Sequence, residues 1–371
     1  MRRGGPGARL LRAIAREQSP DVRSIPLPQL ERLVQAGLGP LLHAIAGPQT
    51  TAQQELLQAA DFTARIVIGQ LVTATADILR QAPSVAGDTV LLKGIAACQR
   101  HYPAPHQRLM GDIDMLVPRQ GQSALEHALL ALGYDQRSEL PPEFYETHHH
   151  SMPFVNDNTG VWVEVHTQLF PLTSPFARAD CFTTDSIQRG TAPLSLEGVA
   201  TLALRDELHL LYTCSHWAVS LNVERALVPL LDVVLLLRKN KNLAWDRIGE
   251  WTATGHIGVH LSLVLGYLCH RHMVELESPA TAVLKRGLRK LGWLNTRLLY
   301  AIIDAFIVER KSFGRLLTHY NVLIIWDTLL RPYHRWRNLA TLPVSLMFPP
   351  NRADRFSLAL VRRRLRAVFN R

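Results

Sequence analysis

Cysteine is scarce in this 371-residue chain, and no two cysteines are close in sequence. The four cysteines are Cys98, Cys181, Cys214 and Cys269. Their spacing excludes a Cys-x-x-Cys metal ribbon, and the sequence has no secretory features that would favour a disulfide framework. We therefore expect a cytoplasmic protein whose cysteines are reduced.

Long apolar runs are also missing. The two most apolar windows, residues 227–237 and 256–269, fall short of the about 18 continuous apolar residues that a membrane-spanning helix needs. In the basic N-terminal segment, arginines interrupt the apolar residues before the core of a signal peptide can form. The sequence thus predicts no export and no transmembrane segment.

Positive charge is concentrated at one end of the chain. The net charge is +10, and residues 331–371 contain ten arginines and one acid. Within this tail Leu358, Val361, Leu365 and Val368 have helical spacing, which predicts a basic amphipathic helix. Two interpretations stay open. The helix packs by its apolar stripe, or it is a contact surface for an acidic partner, an anionic lipid surface or RNA.

The periodicity of apolar residues changes along the chain and suggests four domains. A helical region, 1–85, precedes a core, 86–190, in which strands alternate with helices and therefore predict a sheet. Residues 191–330 form a helical domain, with helix almost throughout from Leu196 onward, and 331–371 are the basic tail.

Acidic residues interrupt two predicted strands of the core. In RLMGDIDMLV, Asp112 and Asp114 point to the same strand face. The turn NDNTG joins strands near 147–155 and 161–168, and on the second Glu164 shares a face with His166. Like charges on one face repel unless they are exposed, protonated or bridged by cations. Carboxylates of this kind suit Mg²⁺ with a bound phosphate, while simple exposure of the acids is the alternative.

The longer context of these acids resembles a known enzyme family. LLKGIAACQRHYPAPHQRLMGDIDMLVP, followed by VWVEVHTQLF, resembles the nucleotidyltransferase superfamily with the polymerase-beta-like fold, and more closely its bacterial group of uncharacterised nucleotidyltransferases. The resemblance covers residues 90–168 well. It extends more loosely to LLYTCSHWAV and PLLDVVLLL, where His216 and Asp232 fall.

The resemblance implies an α+β fold: a small mixed β-sheet core with helices before it and a large helical C-terminal region. It implies Asp112, Asp114 and Glu164 as catalytic residues and as ligands of two Mg²⁺ ions, with Mn²⁺ as an alternative metal. The implied substrate is an NTP, whose nucleoside monophosphate moves to a hydroxyl of a small molecule, peptide or protein as pyrophosphate leaves. Glu164 is the candidate to receive the hydroxyl proton.

Four further residues are predicted to bind the nucleotide. Lys93 and Arg108 supply positive charge for the phosphates, and Gly94 lets the backbone approach them, beside Gly111 at the entrance of the acidic strand. Ile95 departs from the superfamily pattern, because a serine usually occupies this position.

Several histidines and one aspartate have two open interpretations. His166, His216 and Asp232 are candidate substrate contacts, but a satisfied core histidine and a buried ion pair through Asp232 fit the sequence as well. Residues 148–150, His-His-His, are expected to be exposed near the active-site rim, since no cysteine or acid completes a zinc pattern.

Two other functions remain in competition with a transferase of small acceptors. The basic tail favours a toxin-like nucleotidyltransferase that acts on RNA. Ile95 in the phosphate loop favours a nucleotide-binding protein without catalysis.

Overall fold

The computed structural model describes residues 5–312 and 319–330. The predicted basic helix in 331–371 lies outside the described residues. The α-helices are α1 (Pro6–Ala15), α2 (Leu27–Leu33), α3 (Gly39–Ile45), α4 (Thr51–Gln81), α5 (Pro83–Ala86), α6 (Lys93–Arg100), α7 (Gln122–Ala131), α8 (Thr184–Arg189), α9 (Asp206–Val219), α10 (Leu227–Lys239), α11 (Trp245–Trp251), α12 (Ile257–His270), α13 (Ser278–Leu291), α14 (Trp293–Ile302) and α15 (His319–Leu330). The strands are β1 (Val90–Leu91), β2 (Ile113–Leu116), β3 (Asp135–Gln136), β4 (Phe154–Asn156), β5 (Val161–His166), β6 (Thr191–Leu196) and β7 (Val199–Leu204).

All of these strands belong to one mixed sheet in the order β3-β4-β5-β2-β1-β7-β6. The central pairs β2–β5 and β1–β7 are parallel, and the other pairs are antiparallel. Helices precede the sheet and follow it, so the α+β class and the mixed sheet are confirmed.

The two faces of the sheet have different surroundings. Ile113, Met115, Val163 and Val165 point to one face and belong to a core shared with α4, α6 and α7. Strand alternation turns the intervening residues of β2 and β5 to the other face. There Leu116 joins the larger core of the helical region, which includes α9 and α10. The acidic residues therefore lie on the face covered by the helical region.

The helical region predicted over residues 1–85 includes one long helix, α4. Its first turn is closed by a capping box, in which Thr50 and Gln53 each accept a hydrogen bond from the other's backbone N–H. By length and composition alone, α4 is also long and apolar enough to cross a membrane. One face is buried in the protein, and the other exposes Phe62 and Ile66.

A hairpin replaces the helix that the sequence predicted from Leu196 onward. Strands β6 and β7 pair antiparallel, and Leu196 faces Val199 across a two-residue turn. Both turn residues, Glu197 (φ 46°) and Gly198 (φ 80°), have positive φ, as a type I′ turn requires. The prediction was wrong because the Glu-Gly turn was not recognised, and helix begins only at Asp206.

The predicted hairpin around NDNTG is confirmed, but its first strand is shorter than expected. Strand β4 covers only three residues after Pro153, whereas β5 agrees with the prediction. Residues Pro142–Thr147 form 3₁₀ turns, which end where the first strand was expected to begin. The chain rejoins the sheet at a single bridge between His150 and His166.

Candidate active site

Two acidic side chains face each other across the parallel pair β2–β5. Asp114 lies in register with Glu164, so both point to the same face of the sheet. Asp112 lies two residues before Asp114, immediately outside β2. Asp114, Glu164 and His166 each offer a ligand atom within 4.8 Å of the other two. The predicted convergence of acids from two strands is therefore present.

Lys93 supplies the nearest countercharge. It follows β1, which is antiparallel to β2, and its Nζ lies 2.7 Å from Oδ1 of Asp114. Its backbone has a φ of 42°, a left-handed conformation that is uncommon for residues other than glycine. Such strain persists where the surroundings hold it and is concentrated at functional sites. The ammonium thus reaches Asp114 from a strained helix start.

His166 connects the two acids. Its Nε2 lies 2.9 Å from Oδ1 of Asp114 and 3.3 Å from Oε2 of Glu164. Burial disfavours the charged imidazole, but the hydrogen bonds to Asp114 and Glu164 outweigh it and raise the pKa of His166. His166 therefore hydrogen-bonds both carboxylates, and its place near them agrees with the sequence prediction.

The three carboxyl groups differ in electrostatics. Burial raises the pKa of Asp114, but Lys93 and the hydrogen bond from His166 outweigh it and hold this pKa well below its usual range. Burial also opposes ionisation of Glu164, yet the His166 hydrogen bond lowers its pKa. For Asp112, burial and then the neighbouring Asp114 charge raise the pKa to about 6. The charged form of Asp112 is thus disfavoured, and a further cation beside it would stabilise that form.

Gly94 and Ile95 have packing roles at the start of α6. A Cβ atom at Gly94 would lie 2.8 Å from Cβ of Met110, closer than real side chains approach. Ile95 is fully buried in the core under the sheet, so this position does not face the acids. The missing serine hydroxyl is explained by that orientation, and Gly94 permits the segment before β2 to approach α6.

Arg108 and Asp232 pair with each other. Nη2 of Arg108 lies 2.8 Å from Oδ2 of Asp232, and Nε lies 3.3 Å from Oδ1. The Tyr102 hydroxyl also donates to Asp232, at 2.8 Å. Both charged side chains are buried. The structure therefore supports the interpretation of Asp232 as part of a buried ion pair. The guanidinium of Arg108, which was expected to bind phosphate, is already bound to this carboxylate.

Helix α9 brings His216 and one residue that the sequence analysis missed, Tyr212. Burial, and then the charge of Lys93, lowers the pKa of His216 to about 3. The Tyr212 hydroxyl is buried with no hydrogen-bond partner among the described residues. Burial raises its pKa, and its charge would interact with Lys93, Asp114 and Glu164. Helical spacing could have indicated Tyr212, because it lies four residues before His216 and therefore on the same face of α9.

A second missed residue is Arg225, in the connection between α9 and α10. Its guanidinium lies beside Gly111, with Nη1 3.4 Å from the position of a Cβ at that glycine. The side chain is exposed and forms no ion pair within the described part of the chain. No motif marks Arg225 in the sequence, because only the fold brings it to the acidic strand.

The three consecutive histidines, His148, His149 and His150, are partly buried rather than exposed as expected. They do lie at the rim of the acidic cluster, the group formed by Asp112, Asp114 and Glu164. The rings of His149 and His150 are each 5.1 Å from the ring of His166. Nε2 of His150 lies 3.8 Å from Oε2 of Glu164.

The donor set fits divalent metal ions with oxygen preference. Asp112, Asp114 and Glu164 provide carboxylates from two adjacent strands, the ligand type that Mg²⁺ prefers. The Lys93 ammonium and Nε2 of His166 both contact Oδ1 of Asp114.

One family model matches the chain. Described as uncharacterised nucleotidyltransferase, it covers residues 33–274, nearly two thirds of the sequence. The matched range includes the whole sheet and every residue of the acidic cluster. No curated protein and no solved structure matches the chain. The acidic cluster thus lies within the matched range, and the chain belongs to the family of uncharacterised nucleotidyltransferases, enzymes that transfer a nucleoside monophosphate from an NTP.

Proposed function

We propose that this enzyme is a Mg²⁺-dependent nucleotidyltransferase that transfers NMP to a hydroxyl group of a small molecule, peptide or protein and releases pyrophosphate. The observation that carries the proposal is the register of Asp114 with Glu164 across two parallel strands. This register directs both carboxylates to one place on the sheet, and Asp112 lies two residues before Asp114. Such a set of acids is what phosphoryl-type transfer with two metal ions needs.

Asp112, Asp114 and Glu164 are the residues that would hold the metal, with Mn²⁺ as an alternative to Mg²⁺. Bound Mg²⁺ neutralises charge that develops on the phosphates and lowers the pKa of the attacking hydroxyl. Glu164, whose pKa is lowered, is ionised at neutral pH and can accept the hydroxyl proton.

Lys93 and Arg225 are the residues proposed to bind the triphosphate. The Lys93 ammonium lies 2.7 Å from Oδ1 of Asp114, and it would be available to an anionic oxygen of the triphosphate if a metal ion held this carboxylate. Arg225 is exposed beside Gly111 and replaces Arg108 as the expected guanidinium. A guanidinium can donate two parallel hydrogen bonds to phosphate.

Pyrophosphate release from each of the four NTPs, with mixed acceptor pools, tests the proposal. We expect Asp114→Asn to reduce turnover at least about a thousandfold, because one lost metal ligand removes about 4 kcal/mol of transition-state stabilisation. The exposed Asp88 provides the control, and Asp88→Asn should leave turnover unchanged.

Thermal unfolding of both variants checks that they are folded. Retained turnover in folded Asp114→Asn would refute the role of the acidic cluster. NTP binding by the natural enzyme without turnover on any acceptor would favour nucleotide binding without catalysis. Transfer to RNA in the acceptor pool would instead identify RNA as the acceptor.

A further inference from the structure

His148, His149 and His150, here called the histidine cluster, gather three imidazoles at one point. Their ring centroids are 4.2 Å apart in two pairs and 4.8 Å apart in the third. One ring nitrogen of each lies within 4.8 Å of a ring nitrogen of the other two. Successive side chains of a regular strand point to opposite faces, so the irregular backbone here is what brings the rings together.

Hydrogen bonds to β5 and its C-terminal end hold this backbone in place. The carbonyl of His149 accepts from the N–H of Thr167 at 2.9 Å, and Ser151 donates to the carbonyl of Val165 at 2.9 Å. His150 forms a β-bridge with His166 between these two bonds. The histidine cluster is therefore anchored to the same strand that carries Glu164.

The ring nitrogens are suited to bind a metal. Nδ1 of His150 lies 2.7 Å from the carbonyl oxygen of Ser151, so Nδ1 carries the proton and the lone pair is on Nε2. A hydrogen bond of this kind fixes the tautomer and orientation of metal-binding histidines. Nδ1 atoms of His148 and His149 are buried without a hydrogen-bond partner among the described residues. Two buried nitrogens thus lack the partner that buried polar atoms normally have.

We propose that the histidine cluster binds a divalent transition-metal ion of the zinc class through three imidazole nitrogens. In a tetrahedral zinc site the nitrogens lie roughly 3.4 Å apart. Side-chain rotations must therefore shorten the distances between the ring nitrogens by about 1.4 Å at most. Glu164 provides an oxygen for the fourth position, since its Oε2 lies 3.8 Å from Nε2 of His150. This nitrogen-rich site differs in chemistry from the carboxylate site for Mg²⁺.

Two aromatic rings lie beside the histidine cluster. The Phe144 ring lies 4.8 Å from that of His148, and the Tyr145 ring lies 5.8 Å from that of His150. Glu164 lies between this cluster and Asp114, so a metal that takes Glu164 as a ligand also alters nucleotidyl transfer. This coupling rests on the proposed function, whereas the metal site itself does not.

Cobalt titration of the metal-stripped full chain tests the site without an activity assay. We expect one equivalent of Co²⁺ to bind with the visible absorption of tetrahedral coordination and to be displaced by Zn²⁺. The double variant His148→Gln/His149→Gln should bind at least about 100-fold more weakly. Asp114→Asn, and His127→Gln at an exposed histidine of α7, should bind as tightly as the natural chain.

Loss of Co²⁺ binding in Asp114→Asn but not in the double variant would overturn the proposal, because it would place the metal at Asp114, Glu164 and His166. X-ray absorption of the zinc-loaded natural chain is independent of the variants' folding. Three imidazoles around zinc would support the histidine cluster, and two or fewer would overturn it.

Discussion

At the scale of single residues, Lys93 and Tyr212 are both maintained at a cost to stability. The left-handed backbone of Lys93 costs about 1–3 kcal/mol. The Tyr212 hydroxyl is buried without a hydrogen bond among the described residues, which costs about 1–3 kcal/mol as well. The Lys93 ammonium contacts Asp114, and a charge on Tyr212 would interact with Asp114 and Glu164. Residues that act on a substrate often lower the stability of the folded protein in this way.

Removing the Tyr212 hydroxyl should therefore change stability and activity in opposite directions. We expect Tyr212→Phe to raise the free energy of unfolding by about 1 kcal/mol, because an unpaired buried hydroxyl disappears. We expect kcat/KM to fall about tenfold, because a hydrogen bond to the substrate is lost. Urea denaturation and pyrophosphate release measure the two effects. A less stable variant with full activity would show that the hydroxyl is structural.

His166 should make the stability of the metal-free enzyme depend on pH. Hydrogen bonds to Asp114 and Glu164 raise its pKa above the ordinary value of 6.5 despite burial. Its contribution is therefore complete below the ordinary pKa and is lost as pH rises through the folded-state pKa. We expect the free energy of unfolding of the natural chain to exceed that of His166→Asn by more at about pH 5.5 than at about pH 9.

A stability gap for His166→Asn that stays constant or widens with rising pH would contradict the raised pKa of His166.

At the scale of elements, the start of α6 depends on close approach to the segment before β2. We expect Gly94→Ala to lower the free energy of unfolding by about 1–3 kcal/mol, because the new methyl group overlaps Met110. Gly69, in the exposed face of α4, has no atom within 4 Å of a Cβ position. Gly69→Ala should therefore stabilise by about 0.5–1 kcal/mol. Equal effects in denaturant unfolding would refute the packing role of Gly94.

Local patterns predicted the parts of the site that depend on neighbouring residues. Strand alternation placed Glu164 and His166 on one face, and the turn NDNTG predicted the hairpin that carries them. The same reasoning missed the β6–β7 turn, because Glu197 has positive φ without being glycine or asparagine. A left-handed glutamate has no clear signal in a single sequence.

Contacts between distant residues could not be predicted in this way. The partner of Arg108 is Asp232, 124 residues later, and nothing local to either residue indicates the pairing. Arg225 reaches Gly111 only through the packing of the helical region on the sheet. Sequence reasoning therefore identified the acids, Lys93 and His166, but neither the partner of Arg108 nor the position of Arg225.

At the scale of the whole molecule, the Arg108–Asp232 pair joins the sheet region to the helical region. We expect Asp232→Asn to lower the free energy of unfolding by about 3–5 kcal/mol, because it leaves the Arg108 charge buried and unpaired. The double variant Arg108→Met/Asp232→Leu should be closer to the natural chain, since both charges are absent. Denaturant unfolding measures all three proteins.

An exposed ion pair offers the matched control for this prediction. Asp157 pairs with Arg137 at 2.7 Å on the surface, and Asp157→Asn should have a much smaller effect than Asp232→Asn. If the double variant is as unstable as Asp232→Asn, the loss comes from packing rather than from an unpaired charge.

The order of these residues along the chain has a consequence for biosynthesis. Lys93 precedes Asp114 by 21 residues, whereas His166 follows Asp114 by 52. A chain that leaves the ribosome from its N-terminus therefore exposes the acidic strand together with its ammonium partner, long before the imidazole partner exists. The nascent polypeptide can neutralise Asp114 with Lys93 while β5 is still being translated. Strand β5 therefore pairs with β2 after the repulsion between Glu164 and Asp114 has been reduced.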